Sequence, residues 1–180
     1  AFVAKRDGDE ESQIYLLNMK SGGEAQKLTT LSSGAGNPKW SNDSKAILFT
    51  SSVYPGCYTD SLQQAKAKEK KDIKYKARVY ETFPIRNWDK WNDEKVTHPF
   101  FQPIDSTKAI NLFKEVTLAN DIDFKLNGIQ WAGKDEIVFS ATTDATSAAY
   151  KDPVSHLFKL SINGGDAVRL TNDALYSYSG

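Results

Sequence analysis

The chain has 180 residues with 23 basic and 23 acidic side chains, so no net field draws it toward nucleic acid or an anionic membrane surface. Hydrophobic residues make up 39% and aromatics 12%, enough for a packed core despite a mean hydropathy of -0.53. No apolar run approaches the roughly 20 residues of a membrane helix, and the single cysteine, Cys57, excludes an internal disulfide and a multi-cysteine zinc site.

In chain order, "AFVAKR" reads as the end of a β-strand. It is followed from Ile14 by the hairpin "IYLLNMKSGGEAQKLTT", whose Gly22-Gly23 turn uses the freedom of glycine at positive φ. Around Trp40, "KWSNDSKAILFTSS" gives a tryptophan, a polar turn and a β-rich strand ending in Phe49 and small hydroxyl residues. Asn42-Asp43-Ser44 in that turn matches a glycosylation sequon, but its place in a repeated turn accounts for it.

A long insertion follows, over about 52–97. Ser61 and Gln64 fit a capping box, and the alanine, lysine and glutamate content through Lys71 predicts one short helix. The run from Lys66 to Arg78 holds seven basic and two acidic residues, and on a neutral chain it reads as a solvated helix face rather than a nucleic-acid patch. Within "RNWDKW", Arg86, Trp88, Asp89 and Trp91 combine rigid apolar area with an arginine fork. They suit first an aromatic anchor that packs the insertion on the blade, and also the wall of a substrate channel; the two roles are compatible.

Beyond the insertion lies a weaker hairpin, "PFFQPIDSTKAINLF" (99–113), where Asp105 and Ser106 replace the glycines and a longer turn is expected. A second tryptophan-turn-strand unit, "QWAGKDEIVFSATT", surrounds Trp131, and the hairpin "LFKLSINGGDAVRLTN" starts at Leu157. His98 and His156 occupy the repeat position held by Gln13, which predicts a turn or strand-edge role for each rather than that of a catalytic base. Pro99 predicts an edge position or a distorted strand start, and Cys57 a packed or partly exposed thiol.

Alternating hairpins and tryptophan-turn-strand units predict an all-β fold, a partial β-propeller of antiparallel four-stranded blades with one short helix in the long insertion. Trp40 follows Gln13 by 27 positions and Trp131 follows His98 by 33, so the tryptophan that follows His156 is expected at 183–189, and one preceding Phe2 before residue 1. Residues 1–180 are therefore expected to be a propeller fragment of about two and a half blades. No Gly-x-Ser-x-Gly nucleophile elbow occurs in the chain, so no catalytic domain is expected within it.

The tryptophan-turn-strand repeat resembles that of TolB-type propellers. More specifically, "FTSSVYPGC", "YETFPIRNWDKW" and "THPFFQPI" are similar to the propeller of the prolyl oligopeptidase family of serine peptidases, within it the acylaminoacyl-peptidase and dipeptidyl-peptidase 5 branch. The usual Pro-Asp-Gly turn is replaced by Asn42-Asp43-Ser44 and by Gly133-Lys134-Asp135. The resemblance implies a parent enzyme in which the propeller gates access of small peptides to a separate C-terminal α/β-hydrolase domain carrying the Ser-Asp-His triad. This segment itself would hold no catalytic residue and need no metal or cofactor. Recognition of a peptide's amino terminus requires a carboxylate, for which Glu81 and Asp89 are the candidates; Arg86, Trp88 and Trp91 complete the proposed substrate contacts. The expected partners are the hydrolase domain of the same chain and a peptide, with neither nucleic acid nor membrane, and open blades favour self-association. The implied location is periplasmic or extracellular, with the cytoplasm as the alternative. The competing reading is a non-enzymatic TolB-like propeller that serves as a protein-binding scaffold.

Overall fold

The computed structural model describes residues 1–73, 80, 86–87, 90–91 and 94–172. Three antiparallel sheets follow one another along the chain. The first holds β1 (Phe2–Ala4), β2 (Gln13–Leu16) and β3 (Gln26–Lys27). The second holds β4 (Gly36–Trp40), β5 (Ala46–Val53), β8 (Val96–Pro103) and β9 (Ile110–Asn111). Between β5 and β8 lie the helix α1 (Asp60–Asp72) and the short pair β6 (Arg86–Asn87) and β7 (Lys90–Trp91). The third sheet holds β10 (Lys125–Trp131), β11 (Glu136–Thr142), β12 (Ser155–Ser161) and β13 (Val168–Arg169). Within each sheet the strands are ordered as they occur in the chain, so the described residues form an all-β fold with one α-helix.

Alternation along β5 explains why the sheets stack. Ile47 and Phe49 point to one face and join Ile14, Val53 and Phe100 in a core shared with the first sheet. Leu48 points to the other face and joins Phe113, Ile129, Phe139 and Phe158 in a core shared with the third. Each fully buried aliphatic or aromatic side chain contributes roughly 1.5–3 kcal/mol. One stacked aromatic pair recurs across β1–β2, β5–β8 and β11–β12: Phe2 with Tyr15, Phe49 with Phe100, and Phe139 with Phe158, at 5.9, 5.6 and 5.2 Å between ring centres. The Trp131 indole N–H donates to the Lys39 carbonyl at 3.1 Å, which ties β10 to β4.

Four local expectations are corrected. The turn between β8 and β9 is no longer than its glycine-bearing counterpart, because Phe101 pairs with Ile110 and Lys159 with Val168, nine positions apart in both. Without glycine, this turn is held by the buried Gln102 amide, which donates to the Ser106 and Leu28 carbonyls at 2.8 and 2.9 Å. The helix is capped by Thr59, whose hydroxyl accepts from the Leu62 amide, rather than by Ser61. The strands flanking the insertion pair as far out as Val53 with Val96, so the excursion is 54–95.

Pro99 is neither at an edge nor in a distorted start; it lies within β8, opposite Thr50. The register gives the reason. At the equivalent positions the Ile14 and Leu157 amides donate to the hydroxyls of Thr29 and Thr171, at 2.9 and 3.1 Å. This N–H therefore points to a side chain and not into the ladder. In the second sheet proline has no N–H to satisfy, and Phe113 stands where the threonine would be. Thr29→Val should accordingly cost about 1–3 kcal/mol in chemical denaturation by stranding the buried Ile14 amide, with Thr29→Ser recovering most of the loss; an unchanged midpoint for the valine variant would contradict the assignment.

Candidate functional site

The insertion is anchored at its base by side chains whose positions the turn at 54–59 sets. The buried Gln63 of α1 accepts from the Tyr54 amide at 2.9 Å and donates to the Cys57 carbonyl, closing the turn onto the helix. Asp60 accepts from the Ser32 amide and hydroxyl at 2.8 and 2.7 Å, and Ser32 lies in the link between the first and second sheets. The Tyr58 hydroxyl donates to Asn120, in the link between the second and third sheets. The returning end is held by Glu94, which pairs with Lys70 at 2.7 Å and raises the pKa of its ammonium, and by Lys95, whose ammonium lies 5.1 Å from the centre of the Tyr54 ring. The base of the insertion thus bridges both sheet junctions.

Of the predicted contact residues, Arg86 and Trp91 are brought directly opposite each other by the antiparallel β6–β7 pair. Glu81, Trp88 and Asp89 lie outside the described residues. Cys57 is a half-buried free thiol beneath α1. Among the described residues no three His, Cys, Asp or Glu side chains converge as metal ligands, and no helix is long and apolar enough to cross a membrane.

Both histidines lie inside interior strands, which corrects the turn or strand-edge assignment: β8 runs between β5 and β9, and β12 between β11 and β13. His98 is 2% exposed, stacked on Tyr58 and edge-on to Phe113. The Asn111 amide oxygen accepts from the Phe113 N–H at 3.0 Å, which turns the Asn111 NH2 group toward His98 Nδ1 at 3.1 Å. The ring therefore accepts at Nδ1 and carries its proton on Nε2. Burial, opposed only by the Asn111 bond, lowers its pKa to about 4. A neutral imidazole without a carboxylate partner is a packing group, not a general base. At His156 the Arg169 guanidinium donates to the ring, within 3.0 Å of Nδ1 and 2.8 Å of Nε2.

Two grooves open beside the sheets. The larger, about 540 Å3, lies between the second and third sheets, with an apolar floor of Phe101, Pro103, Trp131 and Ile162 and a rim that includes Asp43, Lys45, Asp105 and Lys134. The Ser41 hydroxyl and the Lys45 amide hold the Asp43 carboxyl below its usual range. The smaller, about 310 Å3, lies between the first and second sheets where the insertion leaves β5; Ser33, Thr50, Ser51, Ser52 and Thr97 line it, and among the described residues Glu11 is its one carboxylate. Several other carboxylates are already engaged. Asp9, for instance, is lowered to about 2 by the Lys27 ammonium, the Tyr15 hydroxyl and the Arg6 amide. The serine and threonine content of the smaller groove was legible in "FTSS", but the convergence of Glu11 on it depends on how the sheets stack.

No family model matches the chain. A stretch of 80 residues, 44% of the chain, is 32% identical to the uncharacterized peptidase YuxL of Bacillus subtilis (strain 168) and covers 12% of that protein. The similarity is thus to a small part of a much longer peptidase.

The depressed His98 value sets a pH dependence. The unfolded chain takes up the proton at about 6.5 and the folded chain only at about 4, so the contribution is complete above the first value and is lost as pH falls toward the second, by about 3 kcal/mol. Urea denaturation between those limits should show this slope, and His98→Gln, which places the residue of the first sheet at this position, should flatten it. An equal slope in both proteins would refute the buried neutral assignment.

Proposed function

We propose that the chain is a non-catalytic section of the β-propeller of a serine peptidase of the prolyl oligopeptidase family, acylaminoacyl- or dipeptidyl-peptidase branch, and that it gates access of small peptides to a separate α/β-hydrolase domain. The observation that carries the reading is the 80-residue similarity to a peptidase. It is supported by the stacked four-stranded antiparallel sheets, the unit from which propellers are built. The attachment of the base of the insertion to both sheet junctions supports the gating role. In this reading the partners are the hydrolase domain of the same parent chain and a peptide, and Glu81, Arg86, Trp88, Asp89 and Trp91 contact that peptide.

The physical demand on the site is a carboxylate for the substrate ammonium, held where few waters compete. Kinetics of the full-length protein on dipeptide-releasing substrates test it: Glu81→Gln should raise KM about tenfold with kcat retained, as expected for loss of a charge-assisted contact worth roughly 1.5 kcal/mol or more. Unchanged kinetics would remove Glu81 from the site. A full-length protein that hydrolyses no peptide would defeat the whole reading in favour of a binding scaffold.

A further inference from the structure

We propose that Asn163 is a site of spontaneous covalent modification, converting to aspartyl and isoaspartyl residues through a succinimide. The sequence contains two Asn-Gly pairs, Asn127-Gly128 and Asn163-Gly164; both asparagines are exposed, but among the described residues only the Asn127 side-chain amide is hydrogen-bonded. Asn127 lies in β10, where its NH2 group donates to the hydroxyls of Thr142 and Ser155 at 3.0 and 2.8 Å while Gly128 pairs with Ser140. Asn163 is exposed in the turn between β12 and β13, and its side-chain amide makes no hydrogen bond among the described residues. The following amide, Gly164 N–H, is held by one long bond of 3.3 Å to the Ser161 carbonyl. Gly164 and Gly165 both sit at positive φ, 103° and 100°, and nothing lies within 4 Å of a Cβ built on Gly165. With no Cβ on the attacking residue, the backbone nitrogen reaches the side chain unhindered.

The chemistry needs only solvent. Gly164 N attacks Asn163 Cγ; the new N–Cγ bond forms as the Cγ–Nδ2 bond breaks, and the proton lost from nitrogen leaves with ammonia. Water then opens one of the two imide carbonyls, giving aspartate if the Cγ–N bond breaks and isoaspartate if the backbone C–N bond breaks. Either product adds a carboxylate to a turn whose next residue, Gly164, already lies against Glu115, with Oε2 3.2 Å from where a Gly164 Cβ would stand, and which also carries Asp166. The modified turn therefore carries a concentrated negative charge on an otherwise neutral chain.

Peptide mapping by mass spectrometry over a time course in mildly alkaline buffer, with and without urea, tests the proposal. Freeing the Asn127 amide breaks two hydrogen bonds, so in the folded chain Asn163 should convert at least about tenfold faster than Asn127. In urea the two rates should converge, and enzymatic methylation of isoaspartyl groups should label only the peptide holding position 163 before unfolding. Asn163→Gln should abolish the early charge change. Equal rates in the folded chain, or conversion of Asn127 first, would overturn the proposal.

Discussion

The packing of Phe113 is the contact on which the joined sheets depend. Its ring, wholly buried, lies 5.1 Å from Phe139, 5.5 Å from Phe124 and 5.4 Å from His98 between centres, so one side chain from the end of the second sheet completes the core of the third. Both faces of β5 are apolar, and a sheet of that kind is unstable alone in water; it needs a neighbour on each side. Stability is then shared between neighbours, and loss of a core aromatic is felt beyond its own sheet, at a cost of about 3–5 kcal/mol.

A second constraint explains why the polar chemistry of the sheets is structural. Gln13, His98 and His156 fill one buried slot on the equivalent strands β2, β8 and β12, and each reaches toward the closing strand or the residues beyond it: Gln13 to Thr29 and Leu31, His98 to Asn111, His156 to Arg169 and Thr171. Two kinds of side chain, a glutamine and two histidines, meet the same requirement, a hydrogen bond inside an apolar wedge. The histidines are thus absorbed by the repeat, and the distinctive chemistry of the second sheet lies in its insertion, pinned through Asp60 and Tyr58 to the links on either side.

What could be read from the residues alone follows the range of the interactions. The hairpins and tryptophan turns were legible because glycine pairs and alternating apolar residues act locally. Pro99 was not, because its fit depends on where a backbone N–H points once β8 is in register, and on a threonine slot fourteen residues away that phenylalanine occupies. The helix cap was misplaced by two residues because Thr59 and Ser61 are equally good caps in isolation, and the tie of Asp60 to the distant Ser32 accompanies the choice of the first. Of the five proposed substrate contacts, Arg86 and Trp91 are register partners in the β6–β7 pair, and a pairing of that kind depends on strand register rather than on residue type.

The account rests on the three sheets packing in chain order, the second sharing one core with the first and another with the third. An experimental electron-density map of the full-length protein tests this most directly. It should show Ile47 and Phe49 packed on the first sheet, Phe113 wedged against Phe139 of the third, and the Trp131 indole on the Lys39 carbonyl. A map in which the second and third sheets lie apart, with Phe113 in solvent or against another element, would contradict it.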